Sequence, residues 1–246
     1  MKRTLSIYGQ VLRTYTRWAP SLILLAAIVF VPLGLVHAVT VHAEIGSLDL
    51  EGGLKIFAAG AALLALAATG LIGEVFYTGA VAISLTHPHD GRPPSLREIA
   101  RMVNYKSLIA VDLLYGAIVA IGFALLIAPG IAAFVWFGLA APVVEIERCG
   151  VRAAFARSAQ VIRGSFWVVL TVLLPIELLG DGLTALATEL AHDLLGETLP
   201  SKWLADTLSN LAFTPFYAVA AVLITVDLIH RKEGAGPALH SKPARA

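Results

Sequence analysis

Six apolar runs punctuate the chain, and if each crosses a membrane once, sixteen of its eighteen Lys and Arg residues fall on one side. They collect in four segments: Lys2, Arg3, Arg13 and Arg17; Arg92, Arg97, Arg101 and Lys106; Arg148, Arg152, Arg157 and Arg163; and Arg231, Lys232, Lys242 and Arg245. Only Lys55 and Lys202 fall on the other side. Loops rich in Lys and Arg stay on the cytoplasmic face, so this sorting predicts a multi-pass chain with both termini inside. Adding or removing one span would spoil it.

Composition supports the same reading. Charged residues make up 14% and hydrophobic residues 58%, with a mean hydropathy of +0.80, whereas soluble domains carry roughly 25% charged residues. A spanning helix needs about 20 apolar residues. The expected fold class is therefore an all-α polytopic membrane bundle of six transmembrane helices, a single domain over residues 1–246. The spans are expected at 18–40, 56–85, 107–128, 131–145, 165–187 and 208–229, with a polar tail over 230–246. Pro32 and Gly34 suggest a kink in the first span and Pro142 one in the fourth, and Pro129-Gly130 is read as the sharp turn between the third and fourth. A polar outer loop is expected over 188–206. Nothing in the charge pattern suggests nucleic-acid binding.

Three short basic segments, starting at Leu5, Ser95 and Val151, each precede a hairpin of spans, a weak threefold repeat. In the last, Val151, Phe155, Ser158 and Ile162 share one helical face while Arg152, Arg157 and Arg163 lie largely off it. Such a helix suits the membrane surface, where these arginines would meet anionic lipid headgroups. Equally, it could pack beneath the bundle. In the second span Ala61, Ala65, Thr69 and Gly73 recur every four residues, a spacing that permits close helix packing within the chain or in a dimer.

Ionisable groups within the membrane cost about 2.5–3.5 kcal/mol each at a helix centre, so Glu74 and Glu177 are the candidate intramembrane polar site. Pro175, Asp181 and Glu189 hint at a vestibule near Glu177. The other acids read as local pairs: Asp227 with Arg231, Glu145 with Arg148, and Asp112 six residues from Lys106. His87, His89 and Asp90 make a poor metal site without a further ligand. Cys149 cannot form an intrachain disulfide, since it is the single cysteine, and reads as an inert thiol. No nucleophile elbow, phosphate-binding loop or metalloprotease motif is present. No catalytic residue, metal or cofactor is therefore expected.

The run from Ala128 to Leu170 resembles the bacterial glycerophosphoryl diester phosphodiesterase membrane domain family. The resemblance rests on Pro129, Gly130, Trp136, Ala141, Pro142, Glu145, Gly150, Ala154, Arg157, Ser158, Arg163, Gly164, Phe166 and Trp167, and on Pro215, Asp227, Glu233 and Gly234 in the last span and its end. It departs from the family at Thr225 and Ile229. The resemblance implies a six-helix bacterial inner-membrane protein. The family takes its name from proteins in which such a region precedes a phosphodiesterase domain, a barrel-sized stretch whose acids and histidines have no counterpart here. The first functional expectation is a non-enzymatic lipid-associated or assembly module, whose partners are membrane lipids and a protein partner or a second copy. The alternative is a small transporter or lipid translocator using intramembrane carboxylates. A hydrolase of phosphodiester lipids rests on the family name alone. The threading has a direct check: an epitope tag at residue 47 or 197 should be accessible from outside intact cells and one at residue 91 should not, and the reverse pattern would overturn it.

Overall fold

The computed structural model describes residues 2–42, 73, 76–87, 94–196 and 198–234, all helical apart from short joints. The helices are α1 (Lys2–His42), α2 (Phe76–Thr86), α3 (Leu96–Met102), α4 (Tyr105–Leu125), α5 (Ile127–Phe137), α6 (Ala140–Glu147), α7 (Val151–Ile162), α8 (Phe166–Leu195) and α9 (Leu199–Lys232). Five helical stretches among the described residues are long and apolar enough to cross a membrane: Thr4–Leu35, Tyr105–Leu125, Ile127–Glu147, Phe166–Leu195 and Trp203–Lys232. The chain is thus an all-α, polytopic membrane protein. Most of the expected second span lies outside the described residues, which include its end as α2.

Lipid gives helices little hydrophobic reason to associate, so the interior must be built from close contact. Accordingly, large apolar side chains point outward: Leu24, Ile28 and Leu35 on α1, Leu113 and Ile121 on α4, and Leu178, Leu186 and Leu194 on α8 are exposed. Inside, small residues such as Ala80 and Ala82 on α2, Ala140 on α6 and Ala218, Ala220 and Ala221 on α9 alternate with larger ones such as Leu22, Tyr77, Leu173 and Leu228. Every residue from Tyr77 to Leu85 is buried, which makes α2 a central helix.

Long-range polar contacts set the register. Trp203 Nε1 donates to the Val31 carbonyl at 3.1 Å, and Tyr15 meets Phe216 edge-on at 5.9 Å, so α1 runs antiparallel to α9. The Tyr77 hydroxyl donates to the Leu22 carbonyl at 2.9 Å, joining α2 to α1. A Cβ on Gly73 would lie 2.9 Å from both Leu33 and Phe30. That member of the small-residue stripe therefore packs within the chain; Ala61, Ala65 and Thr69 lie outside the described residues.

Several boundaries differ from the sequence expectation. The first basic segment is continuous with its span in one 41-residue helix that carries Pro20 and Pro32 inside it, rather than forming a separate surface helix. The turn after the third span falls at Leu126, which is extended (φ −168°, ψ 158°), and not at Pro129-Gly130. Pro129 sits in the first turn of α5, where an N–H would have no helical partner and its absence is harmless. Gly130 instead permits close approach, since a Cβ on Gly122 would lie 2.9 Å from its Cα. The fourth span breaks at Gly138 and Leu139, because Pro142 cannot donate to the carbonyl four residues earlier. The expected outer loop is nearly all helix. α8 runs on to Leu195 and ends at Gly196 with φ +70°, while Thr198 caps α9 and Pro200 occupies its first turn.

Gly122→Ala should lower the thermal midpoint by the equivalent of about 1–3 kcal/mol, because the added carbon meets backbone rather than a side chain that can rotate away. Gly9→Ala, with nothing within 4 Å of its Cβ position, should be neutral or stabilising. Equal effects of the two on thermal unfolding in detergent would contradict the packing described.

Candidate functional site

Two groups of polar residues stand out against the apolar bundle. The first ties the basic end together. Glu145 on α6 is fully buried, and its Oε1 accepts the backbone N–H of Asn104 at 2.7 Å. Its Oε2 lies 3.7 Å from Arg148 Nη1. Arg148, left-handed at φ 50°, also donates to the Met102 carbonyl. Asn104 in turn caps α4 through Ser107 N–H. Glu145 therefore fastens α6 to the α3–α4 elbow, well beyond the local pair with Arg148 that its spacing suggests.

Arg157 on α7 donates from Nε to Glu147 at 2.7 Å and from Nη2 to Glu233 at 2.9 Å, joining α6, α7 and the end of α9. The hydrogen bond to Glu147 raises the Arg157 pKa further, so the guanidinium stays charged. Ser158 donates to the Trp136 carbonyl at 2.9 Å, and Lys232 Nζ to the Arg163 carbonyl at 3.1 Å. The apolar face of α7, with Ala154, Phe155, Val161 and Ile162, is buried against the bundle. Arg152 and Arg163 are exposed, while Arg157 is half-buried and paired with Glu147 and Glu233. Nearby, burial and Glu147 push the Cys149 thiol pKa up, which keeps it protonated at neutral pH.

The second group lies inside the bundle. A cavity of about 270 Å³ is lined by Asp112, Tyr115, Phe134, Phe137, Glu177 and Tyr217, with Thr78 of α2 among further residues from α4 to α6. Asp112 is completely buried, and neither of its carboxyl oxygens has a hydrogen-bond partner among the described residues. The expected proximity to Lys106 is not realised. Six residues at about 100° each place Lys106 roughly 120° around the helix, where it is exposed. Glu177 is half-buried and also lines a polar cleft of about 50 Å³ between α8 and α9, with Asp181, Thr184, Ser209, Asn210 and Thr214. Of the three residues that suggest a vestibule, Asp181 lines this cleft and Pro175 and Glu189 do not. Glu74 lies outside the described residues, as do His89 and Asp90. His87 is exposed, with Nδ1 2.9 Å from Thr86 Oγ1.

The residue missed from sequence is thus Asp112. Leu108, Val111, Asp112 and Gly122 are the buried positions of α4, and their spacing already puts Asp112 on the inward face. Among the described residues no group of three or more His, Cys, Asp or Glu could hold a metal ion. The fold and these two sites define a helical, multi-pass membrane protein without an obvious metal or cysteine centre among the described residues. No family model, curated protein or solved structure significantly matches the chain.

Glu145→Ala should cost about 2–4 kcal/mol of stability, because it strands the Asn104 N–H and leaves a void. Glu145→Gln keeps an acceptor at Oε1 and should cost less than half of that. Equal losses of thermal midpoint would mean that the bond to Asn104 does not hold the elbow.

Proposed function

We propose that the chain is a non-catalytic, lipid-associated module of the plasma membrane that takes the polar part of an amphiphile into its intramembrane cavity. The observation that carries this reading is Asp112, fully buried, unpartnered among the described residues and lining a cavity also reached by Glu177. A buried polar group without a partner costs several kcal/mol, and a ligand that satisfies it offsets that cost. The cavity wall includes Ala120, which is exposed on membrane-spanning α4, so an acyl or alkyl tail has a route toward lipid.

In this reading the second span completes six crossings, the basic end faces the cytoplasm with both termini, and Arg152 and Arg163 meet anionic headgroups there. Kinship with the phosphodiesterase membrane domain family is part of the same proposal. It is supported by the way its motif residues converge: Glu145, Arg157, Ser158 and Glu233 all make the contacts that hold the basic end. A second reading, translocation, draws on the α8–α9 cleft, which shares Glu177 and Tyr217 with the cavity.

The test is native mass spectrometry of the protein extracted with its surrounding lipids. A specific co-purifying lipid or amphiphile, lost in Asp112→Asn or Glu177→Gln, is the expected result. Retention of a protein partner with no ligand sensitive to either variant would replace the cavity reading with that of an assembly module.

A further inference from the structure

Resting on that cavity reading, we propose that the ligand group it takes is an organic ammonium, carried by an amine-bearing lipid headgroup or by a free amphiphilic amine. Three features of the wall select this chemistry. First, the described lining of the cavity and the adjoining cleft contains the carboxylates of Asp112, Glu177 and Asp181 and no Lys, Arg or His. An anionic head would meet repulsion with no cation in that described lining to neutralise it, whereas an ammonium supplies both a countercharge and N–H donors.

Second, Asp112 is completely buried and neither oxygen is hydrogen-bonded within the described protein. A carboxylate in that position lacks donors, which an alcohol supplies only singly and an ammonium in numbers. Third, Tyr115, Phe134, Phe137 and Tyr217 line the same space. Aromatic faces attract organic cations, while small inorganic cations such as calcium require six or more oxygen ligands. The volume of about 270 Å³ exceeds the roughly 150 Å³ of an engineered apolar cavity that binds benzene, enough for an ammonium with a short carbon chain.

The layout gives such a ligand a direction. Asp112 and Ala120, both on the wall, lie about 12 Å apart along α4 at 1.5 Å per residue. A head at Asp112 can therefore extend its tail past Val119 to the exposed position at Ala120. Glu177 stands where the cavity meets the polar α8–α9 cleft, and offers a second carboxylate along that path.

The experiment uses the full chain in nanodiscs made of phosphatidylglycerol alone, titrated with hexylammonium, hexanol or hexanoate while the thermal midpoint is followed. Hexylammonium should raise the midpoint saturably and the other two should not. Asp112→Asn and Glu177→Gln should each weaken the apparent affinity by about 10- to 100-fold, with Asp193→Asn, on the exposed end of α8, unchanged. Asp112→Asn is nearly isosteric and should be no less stable than the parent without ligand; Glu177→Gln serves as the independent second variant. Repeating the titration with phosphatidylethanolamine in the disc separates the sources. A raised starting midpoint and a weakened hexylammonium response identify the lipid headgroup, and an unchanged response identifies a free amine. Equal stabilisation by hexanol, or an unaltered response in both variants, would overturn the ammonium assignment while leaving amphiphile binding intact. No saturable response to any of the three probes would overturn both.

Discussion

Removing a carboxylate from water costs several kcal/mol unless donors and countercharge meet it, and Glu145 meets both at the point where the chain changes direction twice. The Asn104 N–H and the Arg148 guanidinium converge on it, and Asn104 is also the cap from which α4 rises. A Cβ on Gly79 would sit 2.5 Å from the Leu108 side chain and 3.4 Å from that of Glu145, so the bare backbone of Gly79 lets the central helix α2 pass close to this joint. The start of α4 and the end of α6 are thus joined through one buried acid, with α2 packed beside them.

The remainder of the basic end repeats the same logic with less burial. Arg157 reaches two carboxylates from different helices, a geometry that suits a forked guanidinium and not an ammonium. Lys232 and Ser158 each donate to a carbonyl at the end of a neighbouring helix or beside a break, positions where carbonyls lack a partner within their own helix. Within the membrane-spanning part, by contrast, several buried hydroxyls turn back on their own helix: Ser84 to Ala80, Ser209 to Ala205 and Thr225 to Ala221. Among the described residues Asp112 is a carboxyl group with both oxygens buried and unpartnered, and the aromatic cavity beside it is where chemistry remains available.

Much of the architecture is legible in the sequence. The face of α7 could be read from Phe155, Ser158 and Ile162, which are buried as the spacing requires. The choice between lipid and bundle as the cover for that face could not, since both reward the same amphipathic pattern. Pro129-Gly130 looked like a turn, yet a proline in a first helical turn and a glycine at a close crossing leave the same dipeptide in sequence. Asp112 reads as half of a local pair because Lys106 is near it along the chain, although angular position, and not separation, decides whether two residues of a helix meet.

The apolar runs and the order of basic residues were sufficient to place this chain in a membrane as a bundle of helices, because hydropathy and charge act segment by segment and need no knowledge of neighbours. Which acid is fastened and which is left to a cavity was settled only in three dimensions. Glu145 and Asp112 are both single carboxylates in apolar surroundings with a basic residue a few positions away. The difference lies in what distant elements bring to each: the elbow at Asn104 supplies a donor to one, while α5, α8 and α9 surround the other with aromatic rings and a second carboxylate.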